Sequence, residues 1–144
     1  MKIFDTTLTR LEEALDVRLV EHNVLAGNVA NADTPGYRPK QLDFSQAMRA
    51  AEQLSAGDGM AATNAQHLSS EGTSAMETTS HSTAAATQLV REGRGTSPSI
   101  DGNEVDLDRT MAGMAENALQ YGASARAAGK KLAILRYVVS DGGS

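Results

Sequence analysis

The run Asp101, Asn103, Glu104, Asp106 and Asp108 is the stretch whose residue types come nearest to a chemical site, and the ion it would suit is calcium. An EF-hand loop needs ligands at its first, third, fifth and twelfth positions and glycine at the sixth. Counted from Asp101, the fifth position is Val105 and the glycine comes early, at Gly102. A turn followed by a helix N-cap at Asp106 accounts for the same residues, and no metal is expected. The histidines, His22, His67 and His81, share no spacing that would make a ligand pair or a catalytic base. The chain has no cysteine, which removes disulfides, thiolate nucleophiles and cysteine-based zinc sites. It also lacks a phosphate-cradling glycine loop, a His-Glu-x-x-His pair and a Ser-His-Asp order. An enzyme reading therefore has no catalytic constellation to rest on, and no cofactor is expected.

Composition narrows the class further. The 144 residues carry a net charge of -5, against the basic face that nucleic-acid binding requires. Aromatics make up 3% and tryptophan is absent, so helices form easily but few large side chains exist to fill a thick core. No apolar stretch reaches the 18 or so residues needed to span a bilayer. The opening Met1-Lys2-Ile3-Phe4-Asp5-Thr6 runs straight into an amphipathic pattern without a signal-peptide apolar region, so any export is expected to proceed without a cleaved signal.

Two heptad seams organise the chain. Phe4, Leu8, Leu11, Leu15, Arg18, His22, Leu25 and Val29 alternate at spacings of four and three, and this predicts a helix over residues 1–31 with one face for a partner. Val17, Val20 and Val24 form a second stripe, which calls for a further partner helix. The pattern returns with Leu107, Met111, Met114, Ala118, Tyr121, Ala125, Ala128, Leu132, Leu135 and Val139. Asp106 is the expected N-cap, and Asp108 complements the dipole in the first turn. Interior Gly113, Gly122 and Gly129 each cost roughly 1 kcal/mol against alanine, which suggests another backbone packed very close or a helix stable only in company.

Between the seams, 28 of the 45 residues from 55 to 99 are Ala, Ser, Thr or Gly, and Met60, Leu68, Met76, Leu89 and Val90 are the large apolar ones. Such a segment buries too little surface to order itself alone. A short helix is expected before it, capped by Asp43 with Phe44, Ala47, Met48, Ala51 and Leu54 on one face. The expected fold is mainly α: long N- and C-terminal helices form an antiparallel coiled-coil-like hairpin around an irregular Ala/Ser/Thr/Gly-rich middle with room for a short helix and short strands. Residues 1–31 and 106–144 together make one helical assembly domain, and 32–105 hold a turn, the short helix and the flexible middle. Aligning the seams sets Leu8 opposite Leu132, Leu11 opposite Ala128, Leu15 opposite Ala125, Arg18 opposite Tyr121, and Leu25 opposite Met114.

The stretch from Leu25 to Tyr37 is the most distinctive. Asn31 suits a helix C-terminus, and Thr34-Pro35-Gly36-Tyr37 fits a type II turn, with proline fixing one φ and glycine supplying the positive one. An ordinary helix stop explains each residue type but not the length of the coincidence. With Asn28, Asn31, Thr34, Pro35, Gly36 and Tyr37, the segment resembles the N-terminal signature of bacterial flagellar rod, hook and hook-filament junction proteins. Arg38-Pro39-Lys40-Gln41-Leu42-Asp43-Phe44 is similar to the proximal rod branch of that family. So are Thr63-Asn64-Ala65-Gln66-His67-Leu68, Asp101-Gly102-Asn103-Glu104-Val105-Asp106-Leu107-Asp108-Arg109, and Met114-Ala115-Glu116-Asn117-Ala118-Leu119-Gln120-Tyr121.

The resemblance implies a structural subunit of the flagellar basal body, exported by the flagellar type III apparatus into the periplasmic rod. Its helices would pack into the tube that links the membrane ring and export gate to the distal rod and transmits torque. Implied partners are other copies of itself, other rod proteins, and the membrane-ring, rod-adaptor and export-gate proteins. Neither nucleic acid nor a direct membrane span is implied. The expected assembly seam is Leu8, Leu11, Leu15, Leu25, Met111, Met114, Tyr121, Leu132 and Leu135. Other short flagellar rod proteins, a cytoplasmic coiled-coil adaptor or export chaperone, and a small helical enzyme are the competing readings. The 28–37 signature, which an adaptor does not need, separates the rod reading from the adaptor, and Asp43-Phe44 with the 101–109 segment favours the proximal rod branch over the other short rod proteins.

Overall fold

A computed structural model describes residues 6–57, 81–93, 95 and 100–141. Phe4, Met60, His67, Leu68 and Met76, and with them the segment 63–68, lie outside the described residues, as do the side chains of Leu54 and His81. The elements run in the order α1 (Thr6–Ala30), β1 (Lys40–Gln41), α2 (Phe44–Gly57), α3 (His81–Gln88), β2 (Arg91–Glu92) and α4 (Leu107–Asp141). The fold is mainly α, dominated by its two terminal helices.

Those two helices pack against each other antiparallel. Leu25 of α1 meets α4 at Gly113, where an added Cβ would sit 3.8 Å from the leucine methyls. That is one residue from the expected Met114. Farther along, Asn117 Nδ2–H donates to the Arg18 carbonyl at 2.9 Å, and Asn117 is 3% exposed. A polar side chain therefore pins the hairpin where the heptad pattern promised only apolar contact.

The valine stripe finds its partner inside the same chain. Val17 and Val20 are buried with Ala47 of α2 and Ala86 of α3, and Leu42, Phe44, Met48, Leu89 and Val90 pack around them. Alanines permit this close approach, so a segment that reads as a linker supplies part of the core: Ala85 and Ala86 are both buried. The middle is not expected to order itself alone, and α3 is ordered by packing on α1 and α2. Ser82, at its start, donates to an Asp16 carboxylate oxygen on α1.

Two further expectations are corrected. The ring beside Arg18 is Phe44, whose centroid lies 3.7 Å from the guanidinium carbon, and not Tyr121. Nη1 of Arg18 also donates to Glu21 Oε2 at 2.9 Å. A charge over a ring face is attracted by the ring quadrupole, so the half-buried arginine is well housed. The glycines of α4 do not mark a close backbone either. A Cβ at Gly129 would meet nothing within 4 Å, and at Gly122 only the side chain of Arg126 on the same helix.

Caps delimit the helices as their residue types dictate. Asp43 Oδ1 accepts the Gln46 N–H at 3.1 Å, and Asp106 Oδ1 accepts the Arg109 N–H at 3.0 Å. Each satisfies one of the unpaired amides of a first turn.

Candidate functional site: an asparagine clasp at the helix turn

The chain leaving α1 turns sharply because Thr34, Pro35, Gly36 and Tyr37 form a β-turn. Tyr37 N–H donates to the Thr34 carbonyl at 3.2 Å, and Gly36 has φ +71°. Proline before a positive-φ glycine is the type II arrangement expected from the sequence. Asn31 ends the helix through its side chain: Nδ2–H donates to the Gly27 carbonyl at 2.8 Å, while Oδ1 accepts from the Thr34 hydroxyl at 3.3 Å.

Asn28 is buried one turn earlier, 3% exposed. Its Nδ2–H donates to the Lys40 carbonyl at 2.7 Å, and its Oδ1 accepts the Lys40 N–H at 2.8 Å. The amide thus pairs with one residue of β1 as a neighbouring strand would, and it covers that edge. The other edge of β1 pairs antiparallel with β2, Lys40 with Glu92 and Gln41 with Arg91. The Tyr37 hydroxyl donates to the same Asn28 oxygen at 3.3 Å.

The segment before α4 closes over this turn. Asn103, 4% exposed, directs Nδ2 at three carbonyls, those of Asn31 at 3.0 Å, Ala32 at 2.7 Å and Thr34 at 2.8 Å. Its Oδ1 accepts the Val105 N–H at 2.7 Å. Backbone bonds flank it: Gly36 N–H to the Asp101 carbonyl and Glu104 N–H to the Tyr37 carbonyl, each at 3.1 Å. Gly102, with φ +74°, would place a Cβ 3.7 Å from the Gly36 Cα. Gly95 also comes very close, since a Cβ there would collide with the backbone of Glu104. Glu104 itself accepts the Gly95 N–H at 3.0 Å.

Chemically, the clasp consumes polar groups rather than presenting them. Asp101 Oδ1 accepts the Asn103 N–H at 3.2 Å and Asp106 caps α4, so Asp101, Asn103, Glu104 and Asp106 each give a side-chain oxygen to a backbone amide. Among the described residues, no group of three His, Asp or Glu is placed to hold a metal, and no helix is long and apolar enough to cross a membrane.

The structure brings the signature residues Asn28, Asn31, Thr34, Pro35, Gly36 and Tyr37 into one turn. Asn103 is the member the sequence reading missed, for Asp-Gly-Asn looks like any turn. The seam residues are less gathered. Leu8, Leu11, Leu15, Leu25, Met114 and Leu135 are half-buried, whereas Met111, Tyr121 and Leu132 are 56%, 41% and 50% exposed.

A helical hairpin closed by a polar clasp, with apolar residues left along its outer faces, has the architecture of a structural helical subunit. The family model described as "Flagella basal body rod protein" matches residues 8–38, from the first turn of α1 to the end of the clasp turn. The flagellar basal body rod protein FlgB of Escherichia coli K12 is 34% identical over 142 residues, covering 96% of each chain. FlgB of Salmonella typhimurium LT2 is 30% identical with 96% coverage of each, and FlgB of Bacillus subtilis 168 is 28% identical with 99%. The chain belongs to the FlgB family of flagellar basal body rod proteins.

Proposed function

We propose that this chain is a structural subunit of the proximal rod, with residues 1–31 and 106–144 acting as its assembly domain. Subunits pack by their terminal helices into the tube between the membrane ring with its export gate and the distal rod, and that packing carries torque. The partners are further copies, other rod proteins, and the ring, adaptor and export-gate components at the base. Export follows the flagellar type III route, and no residue is catalytic. The supporting observation is the contrast along α4. Its first half is tied to α1 by Asn117, and the segment before it to the turn after α1 by Asn103, while Met111, Leu119, Tyr121, Leu132, Ile134 and Tyr137 stand exposed. Apolar surface held rigidly outward is surface for a neighbour.

The experiment is to replace Met111 or Leu132 by aspartate in a strain lacking the native copy. Both positions are exposed, so the subunit folds. Loss of swimming with normal protein levels is expected, and normal swimming by both variants would contradict the assignment of this seam.

A further inference from the structure

Asp-Gly pairs occur at 58–59, 101–102 and 141–142, and the middle one lies inside the clasp. Glycine puts no side chain in the way of its own nitrogen, so an aspartate before it closes readily on the following amide. Asp101 and Gly102 are both exposed, and water reaches them. The amides of Asn103, Glu104 and Val105 are donated to Asp101 Oδ1, the Tyr37 carbonyl and Asn103 Oδ1 in turn. Among the described residues, the Gly102 N–H has no acceptor.

The carboxyl is also turned toward that amide. The 3.2 Å bond from the Asn103 N–H to Asp101 Oδ1 closes a ring that contains the Gly102 peptide unit. In such an Asx turn the side chain folds back along the chain, and its carboxyl carbon lies beside the next nitrogen. We infer that Asp101 is a site of spontaneous isoaspartate formation and that the change springs the clasp. In the acid form of the side chain, the Gly102 nitrogen bonds to Asp101 Cγ. The amide proton and the carboxyl hydroxyl leave together as one water, and a five-membered succinimide remains. Water then adds back. Breaking the bond from nitrogen to Cγ restores aspartate, whereas breaking the bond from nitrogen to the main-chain carbonyl carbon leaves the chain running through Cβ and Cγ. The composition of the product is unchanged, and water is the sole co-reactant.

The place of this change decides its effect. Isoaspartate lengthens the main chain by one atom where the segment before α4 crosses the signature turn. The Asp101 carbonyl, which accepts the Gly36 N–H at 3.1 Å, becomes a free carboxylate on a side branch. The Asn103 N–H loses its Oδ1 acceptor, since Cγ now carries the peptide link. Asn103 Nδ2 meets the carbonyls of Asn31, Ala32 and Thr34 at 3.0, 2.7 and 2.8 Å, and a longer chain does not keep that fit. The inference goes beyond the rod-subunit reading and does not depend on it.

Peptide mapping tests it on the full-length chain. Purified protein is kept folded in neutral buffer beside a sample unfolded in guanidinium, and both are digested at intervals. Isoaspartyl peptides elute apart at unchanged mass and accept a methyl group from S-adenosylmethionine through an isoaspartyl methyltransferase. Reaction through global unfolding alone would run about a thousandfold or more slower in the folded sample. The expected rate at Asp101 in the folded sample is within about tenfold of that in guanidinium, as local opening of an exposed loop allows. Converted molecules are expected to unfold at lower urea concentration. Asp101→Ser keeps an oxygen for the Asn103 N–H but has no carboxyl carbon, so its urea midpoint should hold throughout the incubation. Should that variant fail to fold, mapping of the unsubstituted chain still decides the site. Asp101 intact in the folded sample while it converts in guanidinium overturns the site, and so does conversion confined to Asp58 and Asp141. Isoaspartate at 101 with an unchanged midpoint overturns the springing of the clasp.

Discussion

The side-chain amide of Asn28 exchanges two hydrogen bonds with the backbone of Lys40, twelve residues on, giving one at 2.7 Å and taking one at 2.8 Å. A single side chain thus stands in for a strand, joins the end of α1 to β1, and shields an edge that would otherwise be open to another chain. Asn103 does the corresponding work from the other side of the hairpin, gathering three carbonyls of the turn.

Removing either amide leaves buried backbone groups unpaired, at about 1–3 kcal/mol for each group that water cannot reach. Asn28→Ala and Asn103→Ala are each expected to lower unfolding free energy by about 2–4 kcal/mol in urea titration. Asn103→Asp is expected to be at least as damaging, because a carboxylate would face three carbonyl oxygens. Unfolding midpoints matching the unsubstituted protein would mean the clasp bears no load.

Gly36 occupies the left-handed region at φ +71° with nothing near its Cα that a side chain would strike. Strain alone therefore separates substitutions there. Gly36→Val should cost about 1–3 kcal/mol and impair swimming on soft agar, whereas Gly36→Asn, which tolerates positive φ, should be much milder. Equal behaviour of the two would remove the turn from the explanation.

Arg18 links three helices: it lies in α1, stacks on Phe44 of α2, and offers its carbonyl to Asn117 of α4. A double-mutant cycle with Arg18→Met and Phe44→Leu should return a coupling of about 0.5–2 kcal/mol. Additive effects would show that the stacking contributes nothing beyond the separate burial of the two side chains.

The dilute, unassembled protein is expected to be less helical than the assembled form, and the loss should lie in the last turns of α4, where Leu132, Ile134, Tyr137, Val138 and Val139 are exposed. Hydrogen exchange by mass spectrometry reads this directly. Amides of residues 132–141 should exchange rapidly in the free protein and slowly in basal bodies, while those near Leu25 and Gly113 stay protected in both. A cooperative thermal melt from a fully helical monomer, with uniform protection along α4, would contradict it.

Much of this was legible because repeated large residues announce a helix face: Leu8, Leu11, Leu15 and Leu25 on one side, Leu107, Met111 and Met114 on the other. The Thr34-Pro35-Gly36-Tyr37 turn was readable for a different reason, since few backbone paths suit proline followed by glycine. What stayed hidden depends on tertiary context. In α3, Ala85 and Ala86 count as core only because Val17 and Val20 lie close enough to need small neighbours. β1 and β2 have two residues each, too few to show alternation. Arg18 has one ring within reach along α4 by heptad counting, Tyr121, but its neighbour across the core is Phe44. Asn103 sits in a run of oxygen-bearing residues, and its role comes from the carbonyls it meets some seventy residues earlier in the chain.

Cofractionation tests the rod assignment most directly. Basal bodies purified from cells producing an epitope-tagged copy in place of the native protein are stripped of filament and hook and probed for the tag. A rod subunit remains with the stripped particles, and its deletion leaves rings without a rod. Finding the tagged protein wholly in the soluble fraction, in cells that swim because of it, would contradict the account and favour an adaptor or chaperone instead.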